Sequence, residues 1–176
     1  MQQTDLSVVW FSDGKRRLKV PQRIIDKIFR YEQRVDRKES GGILLGLIFK
    51  DYDEILELGN PSKSDKSSLF SFLRRKKPAQ RKINQAWNNS GGYLVYLGEW
   101  HTHPKSHPSP SEQDREMIEN ALRTTLMELN YLYLIIAGGN KSIYIGRQDR
   151  KGLKTLRPGQ KELKEPNYCP SHKCID

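Results

Sequence analysis

The spacing of hydrophobic residues predicts two strands and a helix at the start of the chain. Apolar and alternating residues at 8–11 and 17–20 flank an Asp-Gly pair, which is a strong local signal for a β-hairpin. Pro21 then opens a segment whose three isoleucines and one phenylalanine fall on one stripe at helical spacing. We therefore expect two antiparallel strands followed by an amphipathic helix.

The next part of the chain combines two strands with a segment of different composition. Residues 43–49 are almost entirely apolar and residues 54–58 alternate, which predicts a second hairpin. Residues 60–68 have the composition of a loop, and residues 69–77 add four large apolar residues followed by four consecutive cations. We interpret 60–77 as a loop inserted into a single domain.

A helix and a strand are expected after this loop, followed by a third helix with a clear start signal. Residues 78–88 fit the helix and residues 93–103 fit the strand. Ser109 and Glu112 match a capping box with Pro110 at the first helical position, so the third helix is expected to begin there and to include Leu126.

Two more strands, at 131–137 and 142–146, complete the pattern. The chain beyond Asp149 is basic and weakly patterned. The order of elements predicts an α/β (α+β) fold in which a mixed β-sheet is flanked by helices.

Composition restricts the class of protein. The longest apolar runs are far shorter than the roughly 20 residues that a membrane-spanning helix requires, and the N-terminus lacks the layout of a signal peptide. With only two cysteines, a reduced cytoplasmic protein is the simplest interpretation. The formal net charge of +10 is compatible with binding to nucleic acid, but an ordinary solvated basic surface is the favoured explanation because no nucleic-acid motif accompanies it.

Three of the four histidines lie in the stretch GEWHTHPKSHPSPSEQD. Side chains alternate along a strand, so His101 and His103 share one face and both imidazoles can reach one ion. The helix that follows can bring Asp114 back beside them. Two histidines and one carboxylate leave the fourth position of a tetrahedral zinc ion open, which is the arrangement of a catalytic site.

A hydrolase also needs a proton shuttle that does not bind the metal. Glu99 shares the strand face of the two histidines and is one candidate. Glu39 is the other, since it precedes Ser-Gly-Gly and opens the buried strand, a suitable place for a carboxylate at the edge of a site.

Taken together, these segments resemble the JAMM (MPN+) signature of zinc-dependent isopeptidases. Glu39 is followed by SGGILLG, His101 begins HTHP, and Ser111 begins SEQD, which match the distant glutamate and the HxHP and SxxD blocks of that family. The resemblance implies an MPN/JAMM-like domain, here residues 1–157, with residues 158–176 as a basic C-terminal tail.

The same resemblance implies the roles of the site residues. His101, His103 and Asp114 are expected to bind one zinc ion. Glu39 is expected to act as the general base on water, and Ser111 is expected to help stabilise the oxyanion.

The sequence of the two motifs, GEWHTHP and PSPSEQD, is similar to that of a bacterial branch of this family found in anti-phage operons of the CBASS type. This likeness implies a protein substrate, a CD-NTase or another ubiquitin-like conjugate, attached by a ubiquitin-style conjugating enzyme of the same operon. It implies neither a membrane nor a nucleic-acid partner.

Several alternatives remain open from the sequence alone. The chain can instead be a basic, nucleic-acid-associated, metal-dependent protein, or an interaction module without activity. Cys169, His172 and Cys174 can bind a second metal, form a disulfide, or have no special chemistry. His107 is interpreted as a plain loop residue, and Ser111 as a helix-start residue in addition to any catalytic role.

Overall fold

The computed structural model describes residues 7–31, 39–61, 66–67, 72–73, 76–125, 127 and 129–159. Three helices occur among them: α1 (Gln22–Phe29), α2 (Lys76–Asn89) and α3 (Glu112–Thr124). The strands are β1 (Val8–Ser12), β2 (Arg17–Pro21), β3 (Gly41–Ile48), β4 (Tyr52–Leu58), β5 (Lys66–Ser67), β6 (Phe72–Leu73), β7 (Val95–Thr102), β8 (Tyr131–Ala137), β9 (Ile143–Asp149), β10 (Gly152–Thr155) and β11 (Arg157–Pro158). The predicted fold class, a mixed sheet flanked by helices in a single domain, is confirmed.

Nine of these strands form one sheet in the order β10-β9-β8-β7-β3-β4-β2-β1-β11. Most neighbours are antiparallel, but β2 pairs with β4 and β7 pairs with β8 in parallel. A parallel pair needs a crossover connection, and α3 supplies the one between β7 and β8. Only Leu156 separates the two edge strands β10 and β11, so the sheet curls and its two edges lie close together.

Helices cover both faces of this sheet and divide the core into two clusters. Ile24, Ile25 and Ile28 of α1 pack on one face. Ile118 of α3 and Ala79 of α2 pack on the other. Since alternate residues of β8 contribute to the two clusters, this strand is buried on both sides, which explains its continuous apolar sequence.

A β-bulge in β7 decides which residues of that strand face α2 and α3. The pairing register with β3 shifts so that Gly98 lies opposite Leu44 while Tyr96 lies opposite Leu45. Gly98 has a φ of 148°, and a Cβ there would lie 1.9 Å from the Tyr133 carbonyl oxygen. The bulge thus needs glycine. After it, Trp100 and Thr102 face the α1 side and His101 faces the α2 and α3 side.

The structure corrects one helix start and adds four strands, namely β5 and β6 within the inserted loop and β10 and β11 at the two edges of the sheet. The predicted capping box of Ser109 and Glu112 is wrong: α3 begins at Glu112 and Ser111 is its N-cap. Strands β10 and β11 were not predicted. Their residues have little alternation, and they pair because the closing sheet offers them free edges.

Other predictions agree with the structure or fall partly outside it. The two hairpins form as expected, and α2 begins slightly earlier than predicted. Within the inserted loop, β5 and β6 pair antiparallel, and most of its other residues lie outside the described part of the chain. The same holds for Leu126 and for Cys169, His172 and Cys174. In the part that the structure describes, no helix has the length and apolarity needed to cross a membrane.

Candidate metal centre

The two histidines of the HTHP motif lie at the C-terminal end of β7 and directly after it. His101 and His103 are buried, and their Nε2 atoms lie 3.1 Å apart. The backbone holds them there, because Gly41 of β3 pairs with His101 and the His103 N–H donates to the Ala137 carbonyl of β8 at 2.8 Å. The predicted sharing of one face by the two imidazoles is thus present in the fold.

The start of α3 brings Asp114 against both imidazoles. Its Oδ1 lies 3.1 Å from His101 Nε2, and its Oδ2 lies 3.3 Å from His103 Nε2. The loop between β7 and α3 is fixed to the β8–β9 turn, where the Gly139 N–H donates to the Lys105 carbonyl at 2.9 Å and the Ser142 hydroxyl donates to the Ser106 carbonyl. These bonds fix the path that returns the chain to the strand end.

Ser111 and Asp114 form a reciprocal cap at the start of α3. The Asp114 N–H donates to Ser111 Oγ, while the Ser111 N–H and hydroxyl both donate to Asp114 Oδ2. A capping box normally uses a longer Glu or Gln at this helical position. Here the shorter aspartate both completes the cap and contacts the histidines.

Glu39 approaches the cluster from the segment just before β3. It is 5% exposed, and its Oε1 lies 3.9 Å from His103 Nε2. Ser40, the next residue, accepts a hydrogen bond from the Thr102 N–H at 2.9 Å. Glu39 therefore lies beside His103 but farther from its Nε2 than Asp114 does.

The electrostatic environment separates the two carboxylates. Burial alone would raise the pKa of Asp114, but hydrogen bonds with His101, His103 and Ser111 outweigh it and hold that pKa well below its usual range. Burial raises the pKa of Glu39 to about 7, with His103 lowering it and Asp114 raising it to smaller extents. One carboxylate stays ionised, and the other can exchange a proton near neutral pH.

These donor atoms suit a divalent metal ion. His101, His103 and Asp114 offer one ligand atom each, all within 4.8 Å of one another. Two imidazole nitrogens and one carboxylate oxygen are typical ligands of catalytic zinc, and a set of three leaves a position open. The geometry thus fits a metal-dependent site, and this is the one such group among the described residues.

The remaining candidates have different surroundings. Glu99 is buried, and Tyr96 donates a 2.5 Å hydrogen bond to it. His107 is exposed in the loop. Thr102 was not predicted as a site residue, and its Oγ1 accepts a hydrogen bond from the N–H of Ser40, the residue next to Glu39. The sequence contains one signal for Thr102, because it is a polar residue on the side of β7 that faces the apolar core.

Fold and site together define a mixed α+β domain with a mononuclear candidate metal centre. Residues 21–149 match the family model described as prokaryotic homologs of the JAB domain. The chain belongs to this family.

Two curated relatives and one solved structure are similar to the chain. A CD-NTase/cGAS isopeptidase of Escherichia coli (strain TW11681) is 29% identical over 85% of this chain and 94% of the relative. A protein of the same name from Vibrio cholerae is 27% identical over 84% of this chain and 92% of that relative. The solution structure of a Desulfitobacterium hafniense protein has a TM-score of 0.56 at 16% identity, covering 77% of this chain and 87% of that one, which supports the fold alone.

Proposed function

We propose that the protein is a JAMM-type zinc metallopeptidase that cleaves the isopeptide or peptide bond after the C-terminus of a conjugated protein. The observation that carries this proposal is the convergence of His101, His103 and Asp114 with Glu39 beside them. The membership of the JAB family and the isopeptidase names of the two relatives support it.

Zinc would be held by His101, His103 and Asp114, and when bound it supplies a Lewis acid and lowers the pKa of water. The ionised Asp114 supplies the negative charge that favours a cation, and the Ser111 hydrogen bonds keep its carboxylate oriented. Both imidazoles are buried, and each has its Nε2 beside the Asp114 carboxylate.

Glu39 acts as the general base and then as the acid. It takes a proton from the attacking water as the new C–O bond forms at the carbonyl carbon. It returns that proton to the lysine nitrogen as the C–N bond breaks, so the products are a carboxylic acid, whose remaining proton is lost to solvent or to the released amine, and an amine. A pKa of about 7 suits both transfers.

Ser111 has a second role in this proposal. It is exposed, although its hydroxyl and backbone cap α3. When a substrate carbonyl oxygen becomes negative, the hydroxyl is available to donate to it in exchange for its bond to Asp114. Capping and oxyanion stabilisation are thus compatible uses of one side chain.

The substrate is proposed to be a CD-NTase or another ubiquitin-like conjugate in anti-phage defence, processed in the cytoplasm. A ubiquitin-style conjugating enzyme of the same operon is the expected source of the bond. The relatives match over nearly their full length, which supports transfer of the whole activity.

The test is incubation of the zinc-loaded protein with a CD-NTase fused to a short C-terminal extension, read by mass spectrometry. Cleavage at the junction is expected, with loss in Glu39→Gln and after chelation, and retention in His107→Ala. Bound zinc with no cleavage of this fusion or of an isopeptide conjugate contradicts the proposed substrate. Failure to bind zinc contradicts the site itself.

A nucleic-acid-associated protein is the second candidate, favoured by the net charge of +10. Phosphodiester cleavage commonly uses two metal ions, whereas the described residues hold one ligand group. Tight DNA binding whose affinity falls steeply with salt, without peptidase activity, would favour this candidate instead.

A further inference from the structure

Thr102 lies between the two histidines of the motif but faces the other side of the sheet. It is fully buried at 0% exposure, on the side that holds Trp100 and α1. Its side chain therefore has no route to the metal ligands or to a substrate. A hydroxyl in such a place needs a hydrogen-bond partner, because an unpaired polar group is costly to bury.

The partner is the backbone of Ser40. The Ser40 N–H donates to Thr102 Oγ1 at 3.0 Å, and the Thr102 N–H donates to the Ser40 carbonyl at 2.9 Å. In a regular antiparallel pair the Ser40 N–H would bond to a backbone carbonyl of β7. The threonine side chain replaces that carbonyl and extends the contact between β3 and β7 past Gly41 and His101.

This bond acts on the peptide unit that carries Glu39. The Ser40 N–H lies in the same rigid plane as the Glu39 carbonyl and Glu39 Cα. Fixing the direction of that N–H thus fixes the rotation of the plane about the Glu39 Cα–C bond. The Glu39 carboxylate, 3.9 Å from His103 Nε2, is oriented from the same Cα.

We propose that Thr102 is a positioning residue, which holds Glu39 beside His103 through the Ser40 backbone. The proposal rests on the proposed function of Glu39 as the base. It explains why one strand end supplies the metal ligands on one face and the support of the base on the other. It also separates the residue's effect from metal binding, since Thr102 contacts none of the ligands in the contacts described.

The activity test compares Thr102→Val, which keeps the shape and removes the hydroxyl, with Thr102→Ser, which keeps the hydroxyl. We expect Thr102→Val to lower kcat by about 10- to 100-fold, since small misplacement of a reacting group has effects of this size. The KM should stay within about twofold, because the contacts that bind the substrate are not altered. The variant should also still bind one zinc ion per chain. Thr102→Ser should restore most of kcat.

The matched control is Thr155→Val, an exposed threonine on edge strand β10. It should leave kcat unchanged, which excludes a general effect of the substitution. A merely structural role of Thr102 predicts lower stability but normal kcat for the folded, zinc-loaded Thr102→Val protein. That result would overturn the proposal.

An arm without turnover separates this proposal from the proposed function. Amide hydrogen exchange at Ser40, measured by NMR on the zinc-loaded protein, should be faster in Thr102→Val and close to wild type in Thr102→Ser. If the wild-type protein cleaves no conjugate, the proposed function fails, and this exchange pattern still decides whether Thr102 fixes the peptide unit of Glu39. Unchanged exchange in Thr102→Val overturns the positioning role in either case.

Discussion

Ser111 and Asp114 exchange three hydrogen bonds across the first turn of α3, two of them at 2.7 Å to Asp114 Oδ2. The same carboxylate lies 3.1 Å from His101 Nε2 through Oδ1. The cap of the helix and the candidate metal ligand are therefore one structure. Any change that loosens the cap should also disturb the metal centre.

Ser111→Ala should destabilise the metal-free protein by about 1 kcal/mol, because it removes the side-chain acceptor of the helix N-terminus. Urea denaturation in the presence of a chelator measures this loss. Ser109→Ala is the matched control in the same loop and should be nearly neutral, since Ser109 is not the cap. Equal losses in the two variants would contradict the assigned helix start.

Metal binding should stabilise the protein with a stoichiometry of one ion per chain. At a free zinc concentration 100-fold above Kd, binding contributes about 2.7 kcal/mol, which corresponds to a rise in Tm of roughly 5–10 °C for a chain of this size. Calorimetric titration and thermal scans measure both quantities. His103→Ala should abolish the shift and His107→Ala should keep it; a shift that survives in His103→Ala would place the ion elsewhere.

The rate of cleavage should depend on the protonation of Glu39. Burial raises the pKa of this carboxyl to about 7, and a bound cation favours the carboxylate, so the acidic midpoint of kcat/KM should lie at or below pH 7. A base must be deprotonated to act, so kcat/KM should rise with pH and fall about tenfold per unit below the midpoint. The Glu39→Gln protein should keep only residual activity without this limb. An acidic limb of the same midpoint in that variant would assign the titration to another group.

Replacing Asp53, a buried carboxylate outside the site, should lower the stability of the fold strongly. It is 0% exposed and accepts hydrogen bonds from Arg16 and from the hydroxyls of Tyr131 and Tyr133. Asp53→Ala should lower the free energy of unfolding by on the order of 3 kcal/mol, since buried partners lose their acceptor. Urea denaturation of the metal-free protein gives the value. Glu54→Gln, in the half-buried pair with Lys19, should cost at most about 1 kcal/mol.

Asp13 should make stability depend on pH in the acid range. Burial opposes ionisation, but hydrogen bonds from the Arg16 backbone and the Arg147 guanidinium outweigh it and lower the pKa of Asp13 below its usual value. A lowered pKa in the folded state stabilises the protein above the unfolded-state pKa of about 4, and this contribution is lost as pH falls further. The difference in unfolding free energy between wild type and Asp13→Asn should therefore shrink below pH 4. A difference that is constant from pH 6 to pH 3 would contradict it.

Local patterns in the sequence predicted the features that depend only on residues close together along the chain. The Asp-Gly hairpin, the apolar stripe of α1 and the alternation that puts His101 and His103 on one face all depend on neighbours within a few residues, and these features are present. The roles of Glu39, Ser111 and the three ligand residues stay predictions, carried by a motif that the fold brings into one cluster.

The helix start after the HTHP motif was misplaced by two residues for a physical reason. Ser109 and Ser111 both offer an N-cap, and the sequence pattern favoured a glutamate at the partner position. In the folded protein Ser111 is the N-cap, and Asp114 then faces the two imidazoles. A contact over more than ten residues of chain thus decided between two local alternatives that propensity cannot rank.

The sequence by itself determined the alternation of strands and helices, the chemical nature of the donor atoms, and the family to which the motif points. Tertiary structure alone decided the bulge at Gly98 that selects the face of β7, the pairing of β10 and β11, and the contact of Thr102 with Ser40. The reason is distance along the chain. Local signals report on neighbours within a turn or a pleat, whereas Thr102 and Ser40 are 62 residues apart and meet only when β3 and β7 are paired.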